Sequence, residues 1–142
     1  MIVRDGLKQM PVQTLPLFTR DILRSRPADL FVFGDNMVGS GFGGQAKACR
    51  GEPNAVGIPT KWAPALDASA FFIDTDFPTV KAAIDRALLT LANHVKTGGT
   101  VVLPEAGIGT GLAQLANRAP RIFTYLKRAF DRLREVDRLS NG

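Results

Sequence analysis

Lys61 closes the segment AVGIPTK, where a short apolar run passes through Pro59 to a single lysine. A lysine emerging beside the end of a buried strand has three roles open to it. It can be a phosphate counter-ion, a Schiff-base nucleophile toward a sugar aldehyde, or a solvated surface residue. Asp35 and Asn36 follow the apolar run at 30–33 and can accept from an exocyclic amine or a ribose hydroxyl. They can equally close an Asx-type turn on the local backbone. Glu105 stands after another apolar run, as a proton acceptor or as a solvated loop carboxylate. Arg50 and Asn54 can hydrogen-bond a ligand or hold the long loop together, and Trp62 can stack a base or cover the core.

Two glycine-rich stretches accompany these side chains. Residues 33–51 contain six glycines, and GIGTGL at 107–112 contains three more. Glycine permits positive φ and close backbone approach, so successive N–H groups can converge on an anion. Two such loops suggest a diphosphate. Gly39, Gly41, Gly43 and Gly44 would wrap one side, with a helix starting near Gln45 directing its first N–H groups at the phosphate. Gly107, Ile108, Gly109, Thr110, Gly111 and Leu112 would close the other. The chain has no GxxxxGK[ST] P-loop. Neither glycine run is followed at a second strand end by the acidic residue of a dinucleotide fingerprint.

Composition narrows the chemistry further. The 142 residues are 45% hydrophobic and 22% charged, as expected of one globular domain spanning 1–142. Cys49 and His94 are the only cysteine and histidine, so neither an intrachain disulfide nor a Cys/His zinc cluster can form, and no metal site is expected. His94 falls within a helical pattern far from any glycine elbow, which argues against a His-based triad and for a helix C-terminal position. Cys49 is expected to act as a small apolar side chain. No apolar run approaches the ~18 residues needed to cross a bilayer, and no secretory leader is evident, so a cytoplasmic protein without a membrane partner is expected. The net charge of +5 favours an anionic partner: nucleic acid, nucleotide or acidic protein. The run KRAFDRLREVDR mixes its signs at helical spacing, as a solvated face does. The phenylalanines fall mostly on apolar periodicities that suggest core, not a stacking platform.

The elements that would position these residues alternate. Residues 12–15 can form an edge strand, and Thr19 can cap a short helix ended by Pro27. Buried strands are expected at 30–33, at 55–58 closed by Pro59, at 70–74 and at 100–103. A helix with Pro78 in its first turn carries Val80, Ile84, Ala87, Leu88, Leu91 and Val95 at 3.6-residue spacing and stops at Gly98 and Gly99. A last helix places Ile122, Phe123, Leu126, Phe130 and Leu133 on one face. This order predicts an α/β fold with helices on both faces of a mostly parallel, mixed sheet. Ligands bind such sheets outside the carboxyl ends of the strands, where both glycine loops leave.

Taken together, FGDN, GSGFGGQA, NAVGIPTK and LPEAGIGTGLAQL resemble a macrodomain, the ADP-ribose-binding fold, over about residues 30–133. The resemblance is closest to the branch holding the terminal ADP-ribose protein glycohydrolase and the DNA ADP-ribosyl glycohydrolase antitoxins. Short bacterial and phage proteins of unassigned function share the same order of motifs. The resemblance implies a three-layer αβα sandwich around a central mixed sheet. It implies ADP-ribose or an NAD-derived nucleotide as ligand, with adenine and ribose near Asp35 and Asn36 and the diphosphate between the loops. An ADP-ribosylated protein or nucleic acid is the implied macromolecular partner, and no cofactor is implied. Lys61 matches the branch's catalytic lysine, which attacks the anomeric carbon of the distal ribose. The assisting aspartate is missing, because Ala113 occupies its place. Glu105 or Asp35 substitutes for it, or the protein binds without hydrolysis; nucleic-acid binding through the positive surface is a third alternative.

Overall fold

A computed structural model describes residues 10–108 and 114–136 of the chain. Four strands form one sheet: β1 (Val12–Leu15), β2 (Leu30–Asn36), β3 (Ala55–Lys61) and β4 (Val101–Pro104), in the order β1-β4-β2-β3. Every pairing is parallel, so the expected mixed sheet is parallel throughout the described residues. The helices are α1 (Arg20–Ser25), α2 (Ala46–Cys49), α3 (Phe77–Lys96), α4 (Leu115–Arg118) and α5 (Pro120–Arg134). Among the described residues no helix is long and apolar enough to cross a membrane.

The alternation of side chains along the strands divides the interior in two. Phe31, Phe33 and Val102 point toward α1 and α2 and join Phe18, Leu23, Ala46, Ala48 and Cys49. Val32, Ile58, Val101 and Leu103 point the other way, onto Val80, Ile84, Leu91 and Val95 of α3 and Ile122, Leu126, Phe130 and Leu133 of α5. A sheet covered on both faces needs apolar residues on both, which is why β2 and β4 are continuous apolar runs and not alternating ones. The arrangement is compatible with a three-layer α/β fold.

Local signals in the sequence account for most element ends. Thr19 caps α1 by accepting a hydrogen bond from the Ile22 amide at 3.1 Å. At the end of α3 the Gly98 amide donates to the Val95 carbonyl and the Gly99 amide to that of His94. With Gly98 at φ +97°, this is a Schellman stop. The His94 ring lies directly against Gly99, where any side chain would collide with it.

Three expectations are corrected. Pro59 does not close β3: the strand runs on to Lys61, with a register shift opposite Asp35 and Asn36. β3 is an edge strand, where a residue without an N–H is tolerated. In the same way β2 extends past the apolar run, so Asp35 and Asn36 are its last residues and do not lie beyond it. Residues 70–74 do not form a strand. They run from the end of one 3₁₀ turn, Ala68–Ala70, to the start of another, Asp74–Asp76, joined to the sheet by a single antiparallel bridge between Lys61 and Phe71. Ala70, Phe71 and Phe72 are buried, which gives the apolar run its strand-like appearance. Burial alone does not supply a ladder.

Candidate functional site

β2 and β4 are neighbours whose chains leave in opposite directions. The loop after β2 leads to α2 on one face, and the segment after β4 leads to α4 and α5 on the other. Divergent exits from adjacent parallel strands open a crevice at their carboxyl ends. Gly34 marks the crossing: a Cβ there would sit 3.3 Å from Thr60 Oγ1 and 3.6 Å from Ile108 Cγ2.

A cavity of about 170 Å³ opens at this end, lined among others by Asp35, Asn36, Gly41, Gly43, Arg50 and Lys61. It is smaller than the ~300–1,000 Å³ usual for small-molecule pockets. Its loop is held in shape by side chains. Asn36 is buried and bonded at both ends of its amide: Oδ1 accepts from the amides of Val38 (3.1 Å) and Gly39 (2.9 Å), and Nδ2 donates to the Ser40 carbonyl at 2.8 Å. Asn36 therefore closes the local turn, the second of the two roles open to it.

Asp35 accepts from Arg50 Nη2 at 2.5 Å and from the Asn36 amide at 2.8 Å. Arg50 in turn donates through Nε to the Gly41 carbonyl at 2.6 Å and through Nη2 to that of Ser40 at 3.1 Å. Arg50 thus ties the loop to the sheet, the structural alternative of the two expected for it. Asn54 holds the end of α1 by donating to the Leu23 and Arg26 carbonyls. Gly41, at φ +92°, brings the loop against Pro64, 2.9 Å from where a Cβ would be.

With the carbonyls so engaged, the amides of residues 40–45 donate no hydrogen bond within the described residues. Consecutive unsatisfied N–H groups in a glycine loop are suited to an anion. The helix after them adds little, because α2 is a single turn and lacks the aligned dipoles of a long helix.

Lys61 is only 8% exposed. Its Nζ donates to the Ala65 carbonyl at 2.7 Å and sits 4.3 Å from the centroid of the Phe71 ring. No carboxylate pairs with it among the described residues. Burial lowers its pKa from the ordinary lysine value, against a smaller opposing pull from Asp67. An amine held this way is nearer to its neutral, nucleophilic form than a surface lysine. Arg118 lies over the same Phe71 ring, also 4.3 Å from its centroid. Neither Phe71 nor Arg118 was singled out from the sequence: Phe71 reaches Lys61 and Arg118 reaches Phe71 from outside the glycine loops, and no spacing rule signals such contacts. Trp62 beside it packs edge-on to Phe72 and donates to Asp76, in the core as expected.

Glu105 is elsewhere. It is exposed and lines a second cavity of about 220 Å³ with Gly107, Ile108, Phe123, Lys127 and Asp131, on the α5 side of the β4 exit. The structure does not bring Glu105 and Lys61 to one cavity. Gln45 flanks a third groove with Gly44 and Lys47. Gly109, Thr110, Gly111, Leu112 and Ala113 lie outside the described residues. Cys49 is fully buried and its thiol is pushed up to about 12 by desolvation, in keeping with an inert packing residue.

An α/β domain with a polar crevice at the carboxyl ends of its parallel strands is the class that this geometry defines. A family model matches residues 14–129, and the chain belongs to that family, described as a family of unknown function (DUF7831). No curated protein and no solved structure matches the chain.

Proposed function

We propose that this chain is a macrodomain-like module that binds ADP-ribose or a related NAD-derived nucleotide at the β2 and β4 exits, and that Lys61 is the nucleophile if the sugar is released from a macromolecule. The observation that carries the proposal is the meeting of two features at one cavity. A glycine loop with unsatisfied amides, suited to phosphate, stands beside a buried lysine with no carboxylate partner among the described residues. Hydrolysis would take two steps. Neutral Nζ bonds to the anomeric carbon as the bond to the macromolecule breaks, its proton passing to the leaving group. Water then displaces Nζ to free the sugar and restore the lysine.

A second reading, binding without turnover, draws support from the carboxylates. Asp35 is engaged by Arg50, Glu105 faces another cavity, and alanine occupies position 113. The test is calorimetric titration with ADP-ribose alongside a release assay on ADP-ribosylated protein and DNA. Lys61→Ala is expected to abolish release while changing binding by no more than about 1–2 kcal/mol. Binding without release by the wild type selects the second reading, and absence of binding overturns both.

A further inference from the structure

The basic charge of the chain is concentrated on α4 and α5. Residues 115–136 carry Arg118, Arg121, Lys127, Arg128, Arg132 and Arg134 against Asp131 and Glu135, which is most of the net +5 of the whole chain. As expected for a solvated face of mixed sign, Lys127, Arg128, Asp131, Arg132, Arg134 and Glu135 are all exposed, with the cations outnumbering the acids. All the cations but Arg134, which pairs with Asp131, have no ion pair among the described residues.

Arg121 and Arg128 line one hollow with Phe77 and Tyr125, and Arg132 and Lys96 line a separate groove between α3 and α5 that Tyr125 also borders. Asp85 is the sole carboxylate among the residues lining that groove, and it is already engaged by Lys81 and by the Tyr125 hydroxyl. Lys127 and Arg134 flank the other side of α5. At 1.5 Å per residue, Arg121 to Arg132 covers roughly 16 Å of helix. Arg118 and Arg121 are braced against the Phe71 and Phe77 rings. Bracing lowers the entropy lost when a guanidinium meets a phosphate.

We propose that the exposed side of α5, with Arg118 and Lys96, is a binding surface for the phosphate backbone of a nucleic acid. Cations on both flanks of a helix suit a rod-shaped polyanion with phosphates on both sides. Base stacking is not part of it: Phe77 and Tyr125 pack edge-on to each other and are covered by Arg121 and Lys81. The mode is therefore backbone contact without sequence selection. It is independent of the ligand proposed for the crevice.

The test is fluorescence titration of the full chain with a labelled 20-base-pair duplex and with polyglutamate, between 50 and 200 mM salt. The duplex is expected to bind with a log–log salt slope of about −3 to −4. Arg128→Ala/Arg132→Ala is expected to reduce that slope by roughly 2 and to weaken binding at least about tenfold at the lower salt. Lys47→Ala/Arg86→Ala, which removes equal charge from other exposed sites, is expected to change it by less than about threefold. No duplex binding at 50 mM salt overturns the proposal, as does equal weakening by both pairs. Polyglutamate binding as tightly and through the same arginines overturns it in favour of an acidic protein partner.

Discussion

Burying Lys61 costs stability that the rest of the fold must supply. Its amine titrates below the ordinary value of 10.5 because desolvation outweighs the attraction of Asp67. Between the lowered folded value and 10.5 the unfolded chain binds more protons, so stability rises with pH across that window. Below the window the full cost is present. Lys61→Met keeps the length of the side chain and removes the charge. Its Tm is expected to exceed that of the wild type at pH 7, with the gap narrowing as pH approaches 10.5. Scanning calorimetry at pH 7 and pH 10 measures this; a methionine variant less stable at both would show that Ala65 and Phe71 more than compensate the ammonium. The position of Lys61 at the mouth of the sheet was legible from AVGIPTK. Its burial was not, because Phe71 reaches it through a fold of chain ten residues later.

At the scale of elements, the glycine loop is held by a few contacts that can be tested singly. Gly41 and Gly51 both adopt φ near +90°, but only Gly41 has a neighbour, Pro64, at 2.9 Å from a prospective Cβ. Gly51→Ala should cost about 1–2 kcal/mol for the left-handed backbone alone. Gly41→Ala should cost at least about 1 kcal/mol more, because the loop must also move off Pro64. Urea unfolding of the two variants compares them directly, and equal losses would show that the loop yields freely. Elements with a local signature were readable in the sequence: the Thr19 cap, the Gly98 stop, the apolar stripes of α3 and α5. The segment 70–74 was not, since a buried apolar run looks alike in a strand and in an irregular segment until its hydrogen-bond partners are known. For Asn36 the Asx turn was one of two roles open in the sequence, and only the hydrogen bonds to Val38, Gly39 and Ser40 decide between them.

The whole molecule has two interiors separated by one sheet, and Cys49 reports on the one built from α1 and α2. With its thiol pushed up to about 12 by burial, Cys49 carries almost none of the reactive thiolate at pH 8. Labelling by an aromatic disulfide at pH 8 is expected to follow the rate of opening and to accelerate steeply near the urea midpoint. Rapid labelling of the native protein would mean that this layer opens without the rest. At this scale the alternation of strands with helices on both faces was legible, apart from the strand expected at 70–74. The strand order was not, because insertion of β4 between β1 and β2 is a tertiary choice that leaves no local mark.

The passage of β3 through Pro59 bears on how this molecule meets copies of itself. An open parallel sheet presents unpaired donors and acceptors along its rim, a template for edge-to-edge aggregation. Here the outer rim lacks a donor at Pro59. Two residues later Phe71 pairs with Lys61, and Ala70 accepts from Trp62, so that stretch is already covered. The same short segment that buries the lysine therefore also denies a stranger's strand the place beside it.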